Sequence, residues 1–467
     1  MASPITVIAF ACLILGFNTL FWATVGAGRY LGSRLTLMSR CVIEQSPESG
    51  RHRRRSSRSG VAQQFTPDDV AVLIPAHNEA AVLERTVCAA TRLVDAANIH
   101  VVSDGSTDGT PNIALQLGVQ VLDLPHNSGK ARALRAAIEH FELAQRFRVV
   151  LLLDADTRLS DDYLATGLPE FDDEGVVAVA GSVRCSLDPP PRKLMGRLLL
   201  AYRARVYVGV QLLTKYGQAG RWADVVSIVP GFASMYRTDV LDSIDITAPG
   251  LVIEDFNMTF EVHVKKLGRI AFRPCAAVAY TQDPDAFGDY VRQIRRWSLG
   301  FWQTVRLHRK HFGRFWFALT AQVAELICGS VTLLCMPPLM LFAVYTEAVS
   351  ATYGPPEVAG HELVGTLTPQ IVALGFLVPD LLVTLLAVCA LRRPRLLLFA
   401  PLLPALRLLD AYVCLRSLVA ATRTRSTGRW VSPVRRAAAS TVAMLKTDDP
   451  ASDFASAVTT CPVSRNS

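Results

Sequence analysis

The apolar positions of this chain change rhythm along its length. Residues 6–27 run without a charged side chain, about the length needed to cross a ~30 Å hydrocarbon core. The alternative for that run is a secretory signal, but it lacks a basic leading segment and a small-residue cleavage site. From Asp69 short apolar runs alternate with helical spacing. Residues 70–74, 99–103, 119–122 and 148–153 predict buried strands, and residues 79–94, 110–117 and 130–145 predict helices between them. This alternation implies an α/β fold: a parallel sheet with helices on both faces. Ligands of such sheets bind outside the carboxyl ends of the strands. Asn78-Glu79, Asp104 and Asp154-Ala155-Asp156 all fall at such ends.

After Pro189-Pro190-Pro191, residues 192–215 place apolar positions among Arg197, Arg203, Arg205 and Lys215. That pattern fits an interfacial amphipathic helix or an ordinary surface helix. Residues 231–237 and 250–266 return to the α/β domain, 269–279 predict a final strand, and 287–311 a second amphipathic helix. Residues 315–390 hold no Lys or Arg. They predict spans at 317–345, bent near Pro337-Pro338, and at 369–391. Residues 396–421 are apolar but interrupted by Pro401, Pro404, Arg407, Asp410 and Arg416, which favours a re-entrant or interfacial hairpin.

Charge then sets an orientation. Arg29, Arg34, Arg40 and Arg51-His52-Arg53-Arg54-Arg55-Ser56-Ser57-Arg58 follow the first apolar run and supply most of the net charge of +8 over 467 residues. Basic flanks mark the cytoplasmic side, so the chain from about residue 30 is expected inside, at the cell membrane. The loop with Glu347, Glu357 and Glu362 suits the outside. The basic linker reads as a lipid-facing or simply solvated segment. Without interleaved aromatics it is no nucleic-acid arm. The ten cysteines include no CxxC pair. Cys12, Cys328, Cys335, Cys389 and Cys414 sit in apolar stretches, as small hydrophobes in a reducing compartment do.

The chemistry rests on ordered acids. Glu79 stands in Pro75-Ala76-His77-Asn78-Glu79, Asp104 in Ser103-Asp104-Gly105-Ser106, and Asp154 and Asp156 flank Ala155. Glu254-Asp255 follows, and then Gln293-Ile294-Arg295-Arg296-Trp297. Two aspartates one residue apart after a strand suit Mg²⁺ or Mn²⁺, which favours one or two carboxylates plus phosphate oxygens. Gly129-Lys130 is no P-loop, because no glycine stands five residues earlier and Ala131 replaces the hydroxyl residue. Gln293, Arg296 and Trp297 share one helix face. There a guanidinium can pair with a diphosphate and an indole can stack on a sugar.

In this order the motifs resemble those of the membrane-embedded family-2 (GT-A) glycosyltransferases of the processive type: poly-N-acetylglucosamine, hyaluronan, chitin and cellulose synthases. The resemblance covers about residues 68–313. It implies a Rossmann-like GT-A domain inserted between transmembrane helices, a UDP-sugar donor, Mg²⁺ or Mn²⁺, and inversion to a β-linkage. It implies Asp255 as the catalytic base. Glu79, Asp104, Lys130, Asp154 and Arg296 are donor-binding, Glu254, Gln293 and Trp297 acceptor-binding, and Asp156 a metal ligand. Asn127 and Gly129 resemble the rest of the donor-lining loop, and Gly231-Phe232 the loop near the acceptor. Relatives often carry an acid where Ser103 stands and Thr where Ile253 stands, and His77 reads as structural. Trp430-Val431-Ser432-Pro433 with Arg435 resembles the ending of poly-N-acetylglucosamine synthases.

The expected organisation is a transmembrane helix at 1–28, a basic linker at 29–66 and the GT-A domain at 67–285. The QxxRW interface helix at 286–313, a membrane domain at 314–421 and a tail at 422–467 follow. UDP-GlcNAc is the favoured donor, with UDP-Glc as the other choice. The partners are membrane lipids and a growing polysaccharide, with room for an accessory export or assembly subunit. Two rivals remain open: glucosylation of a lipid acceptor, and a transporter or scaffold with an inactive transferase domain.

Overall fold

The computed structural model describes residues 15–44, 65–186, 190–309, 311–353 and 368–424. Four strands lead: β1 (Val70–Ala76), β2 (Ile99–Asp104), β3 (Gln120–Leu124) and β4 (Val149–Leu153). β1, β2 and β4 are buried throughout, as strands covered on both faces must be. Successive side chains of β1 part to opposite faces. Val70, Val72 and Ile74 join the core under helix α2 (Leu83–Ala90), and Ala71 and Leu73 join the core under α4 (Lys130–His140). Helix α3 (Thr110–Gln116) lies between these two helices in sequence. The expected helix over 130–145 breaks at Glu142, whose φ is +51°.

The main sheet has seven strands in the order β3-β2-β1-β4-β8-β6-β9, adding β6 (Val176–Ala180), β8 (Ala233–Arg237) and β9 (Arg269–Ala271). Pairing is parallel among β1 to β4, and β8 runs antiparallel to both β4 and β6. A second sheet, β5-β10-β7, holds β5 (Arg158–Leu159), β7 (Ser182–Cys185) and β10 (Val278–Thr281). The single strand expected over 269–279 is therefore two strands, one in each sheet. The turn at Pro274 and Cys275 separates them. The α/β class is as expected, but the sheet is mixed rather than parallel, because β8 runs antiparallel between β4 and β6.

Helix α1 (Phe17–Glu44) packs against the chain at 210–218, where Arg29 bonds the Tyr216 carbonyl and lies 4.3 Å over its ring. The span expected over 6–27 falls partly outside the described residues. So do most of the basic linker, the loop with Glu357 and Glu362, and Trp430 to Arg435. Helix α5 (Leu194–Gly209) continues through a π-turn at Val210–Lys215. Two of the arginines that suggested a surface or interfacial helix are buried instead. Arg203 and Arg205 are 3% and 4% exposed, because partners on later helices receive them. Helix α6 (Glu254–Val264) and helix α7 (Phe287–Leu307) follow.

The described residues include three helices long and apolar enough to cross a membrane: Arg314–Thr352, Pro369–Leu391 and Pro394–Arg423. The first lies in α8 (Arg314–Tyr353), which continues through Pro337-Pro338. The second is α9 (Pro369–Leu391), and the third runs from a 3₁₀ stretch, Pro394–Leu402, into α10 (Leu403–Arg423). A hairpin was expected in this last stretch, but the chain follows one continuous helical path. α10 lies along α7, with Trp302 Nε1 donating to the Cys414 carbonyl at 3.1 Å and Arg306 to that of Ala421 at 3.0 Å. Asp380, inside the apolar α9, meets Arg205 of α5 at 2.6 Å and Arg407 of α10 at 3.7 Å.

Candidate active site

Sheet pairing builds the site. Because Leu153 pairs with Ala233, the end of β4 lies beside the start of β8, and Asp154 N–H donates to the Phe232 carbonyl at 3.3 Å. Lys130, first residue of α4, reaches across this junction. Its ammonium lies 2.8 Å from Asp154 Oδ1 and 2.9 Å from Glu254 Oε1. With the Gly231 carbonyl 3.5 Å from the same ammonium, four stretches of chain meet at one cation.

Glu254 and Asp255 open α6, where free backbone N–H groups favour acids. Asp255 Oδ2 accepts from Gly231 N–H at 3.3 Å and Oδ1 from Phe256 N–H at 2.8 Å. A Cβ at Gly231 would lie 2.9 Å from that of Asp255, so the approach requires glycine. Burial and then the neighbouring Glu254 charge push the Asp255 carboxyl up to about 7, against the pull of Lys130. Glu254 moves the other way. Burial opposes its ionisation, but the Lys130 ammonium prevails and lowers it. Lys130, though desolvated, is raised by Asp154 and Glu254 and stays charged. Two adjacent carboxyls are thereby driven apart, one held ionised and one poised near neutrality, as acid–base work requires.

A cavity of about 1050 Å³ takes in Lys130, Asp154, Asp156, Glu254, Asp255, Gln293, Arg296 and Trp297. It continues between α1, α8 and α10, reaching Glu325, Ser330 and Ala411. Glu79 and Asp104, expected to bind the donor, do not line it and are 1% and 0% exposed. Asp104 braces the donor-loop candidate: Ser128 N–H donates to Oδ1 and Gly129 N–H to Oδ2, each at 2.7 Å. Gly129 has φ +95°, a left-handed turn that lets both N–H groups face one carboxylate. His77 donates through Nδ1 to the Asp104 carbonyl at 2.7 Å and accepts from Asn127 at 3.1 Å, a structural role.

Asp156 lies half-buried on the cavity wall, with the Thr157 hydroxyl 3.4 Å from its Oδ1. Among the described residues no cluster of three or more His, Cys, Asp or Glu side chains is placed to hold a metal. One or two carboxylates facing an open cavity fit Mg²⁺ or Mn²⁺, which take further oxygens from phosphate and water.

Sequence reasoning missed Arg203, Asp283, Asp380 and Asp410. Arg203 bonds Gln293 and lies over Trp297, Asp283 stands 4.0 Å from Arg203, and Asp410 accepts the Tyr202 hydroxyl at 2.8 Å and also that of Tyr290. The available signal was an ionisable residue within an apolar run, which implies a buried partner.

Residues 71–245 match the family model described as Glycosyl transferase family 2. The chain is 28% identical over 275 residues to the Probable glycosyltransferase YdaM of Bacillus subtilis, covering 54% of this chain and 62% of that protein. It is 28% identical over 264 residues to Glycosyltransferase AglJ of Haloferax volcanii, covering 55% and 79%. The match thus spans about three-fifths of the length of YdaM. Mannosyltransferase PcManGT of Pyrobaculum calidifontis, solved with GDP-Man and Mn²⁺, is similar at 17% identity and TM-score 0.45, covering 76% of this chain and 97% of that one.

Proposed function

We propose that the protein is an inverting glycosyltransferase that moves a sugar from a UDP-sugar, UDP-GlcNAc in the favoured form, onto a growing β-linked polysaccharide at the cytoplasmic face of the cell membrane. The observation that carries this reading is Lys130 tying Asp154 to Glu254 beside a carboxyl poised near pH 7. Three apolar helices downstream support attachment to a membrane.

Asp255 takes the proton from the acceptor hydroxyl as its oxygen attacks the anomeric carbon. The bond from that carbon to the diphosphate breaks on the opposite face, and the UDP leaves with its electron pair. Arg296, exposed on the cavity wall, meets the charge gathering on the diphosphate. Asp156, with Asp154 beside it, would hold Mg²⁺ or Mn²⁺, and the ion would supply neutralising charge to the diphosphate. Asp104, with Glu79 in the next strand-end turn, serves the donor by fixing loop 128–130. Glu254 and Lys130 keep the base surrounded by balanced charge. Gln293 and Trp297 receive the acceptor.

A lipid acceptor is the second reading. The cavity's extension between α1, α8 and α10 favours it, since an acyl or prenyl chain would be housed there. Product size separates the two. Full-length protein in lipid nanodiscs with a UDP-sugar panel and Mn²⁺ yields a ladder of long glycans if the polymer reading holds, and a single solvent-extractable glycolipid if the lipid reading holds. Undiminished UDP release by Asp255→Asn would sink both.

A further inference from the structure

Arg203 lies on α5, outside every motif quoted above, yet it touches both ends of the acceptor motif on α7. One guanidinium N–H donates to Gln293 Oε1, and the guanidinium carbon stands 4.3 Å from the Trp297 ring centre. Its charge is 3% exposed and balanced by Asp283, 4.0 Å away, whose carboxylate also accepts the Tyr207 hydroxyl at 3.1 Å. The same guanidinium lies 5.1 Å from the Tyr290 ring. Arg203, Gln293 and Trp297 all line the cavity.

A guanidinium has five donors and no acceptor. Whichever way the Gln293 amide turns in isolation, the oxygen must face Arg203, and the NH₂ group is left for the cavity. We infer that Arg203 is the positioning residue of the acceptor shelf: it fixes Gln293 with its amide N–H groups toward the incoming acceptor and clamps one face of the Trp297 indole. The shelf therefore recognises lone pairs, the hydroxyl or ether oxygens of a terminal sugar, beneath a ring stacked on the free indole face. The inference rests on the proposed function, since it deepens the reading of that site.

The test uses full-length protein in lipid nanodiscs with UDP-GlcNAc, Mn²⁺ and chitotetraose as the probe acceptor. Arg203→Met raises the chitotetraose KM about tenfold or more while the UDP-GlcNAc KM stays within about twofold. Arg203→Lys recovers only part of this, because an ammonium lacks the planar fork. The double variant Arg203→Met/Gln293→Ala is no worse than Arg203→Met alone, since both act through one contact. A second arm needs no substrate: the Trp297 emission, taken as the difference from Trp297→Phe, changes in Arg203→Met. Effects that multiply in the double variant, equal rises in both KM values, or an unchanged emission would each overturn the inference. Wild-type protein that releases no UDP from any donor overturns the proposed function instead, and the emission arm still decides the placement of Arg203.

Discussion

Gly231 and Asp255 are in contact such that the glycine N–H donates to the carboxylate and a methyl group has no place between them. A Gly231→Ala change therefore moves the carboxylate rather than simply crowding it. A displacement near 1 Å costs about 10²-fold in such chemistry. Gly231→Ala should lower kcat by about that factor with nucleotide affinity little changed, read by single-turnover kinetics beside UDP titration.

The poise of Asp255 predicts a pH profile. The base works ionised, so transfer should rise with pH through an apparent pKa near 7. Glu254→Gln removes the negative neighbour and should shift this limb to lower pH. Asp255→Asn should abolish the limb and reduce kcat by about 10²–10⁴-fold. An unmoved limb in Glu254→Gln would refute the electrostatic cause.

Stability follows the same group with the opposite sign. The folded carboxyl is raised above its usual 3.8 to about 7, so the folded state holds the extra proton. This favours folding at low pH and is lost as pH rises through about 7. Asp255→Asn should thus unfold at a higher temperature than wild type at pH 8, and the gap should close toward pH 4. Differential scanning calorimetry at both pH values measures it.

Lys130 compensates two largely buried acids at once. Its replacement by Met strands them, and breaking a buried pair costs about 3–5 kcal/mol. Lys130→Met should lower the unfolding temperature markedly, and Lys130→Met/Glu254→Gln should recover part of the loss. A recovery of zero would mean that the lysine stabilises through packing alone.

Asp156→Asn should raise the Mn²⁺ concentration for half-maximal UDP release by about tenfold or more, in line with loss of a ligand oxygen. A titration curve that superimposes on wild type would remove Asp156 from the metal site.

Much of the α/β half was legible because its signals are local. β1 to β4 read directly from runs such as Val149–Leu153, and the acids at their ends from position alone. What was lost depended on distant partners. Arg203 and Arg205 look like a solvent-facing stripe until Asp283, Gln293 and Asp380 arrive from 75 or more residues away to take their charge inside. The two short strands after residue 268 looked like one, since nothing local tells the chain to change sheets. The 396–421 stretch reads as a hairpin because prolines and charges interrupt it and both of its ends are basic. Arg407 meets Asp380 and Asp410 meets two tyrosines, so those residues are contacts rather than breaks.

Asp410 binds the phenols of Tyr202 and Tyr290, one from each helix that carries the acceptor shelf. The leucine-rich α10 is thereby tied to both α5 and α7. Through this one carboxylate, α5, α7 and α10 are held in a single register, so any displacement of one is shared by the other two.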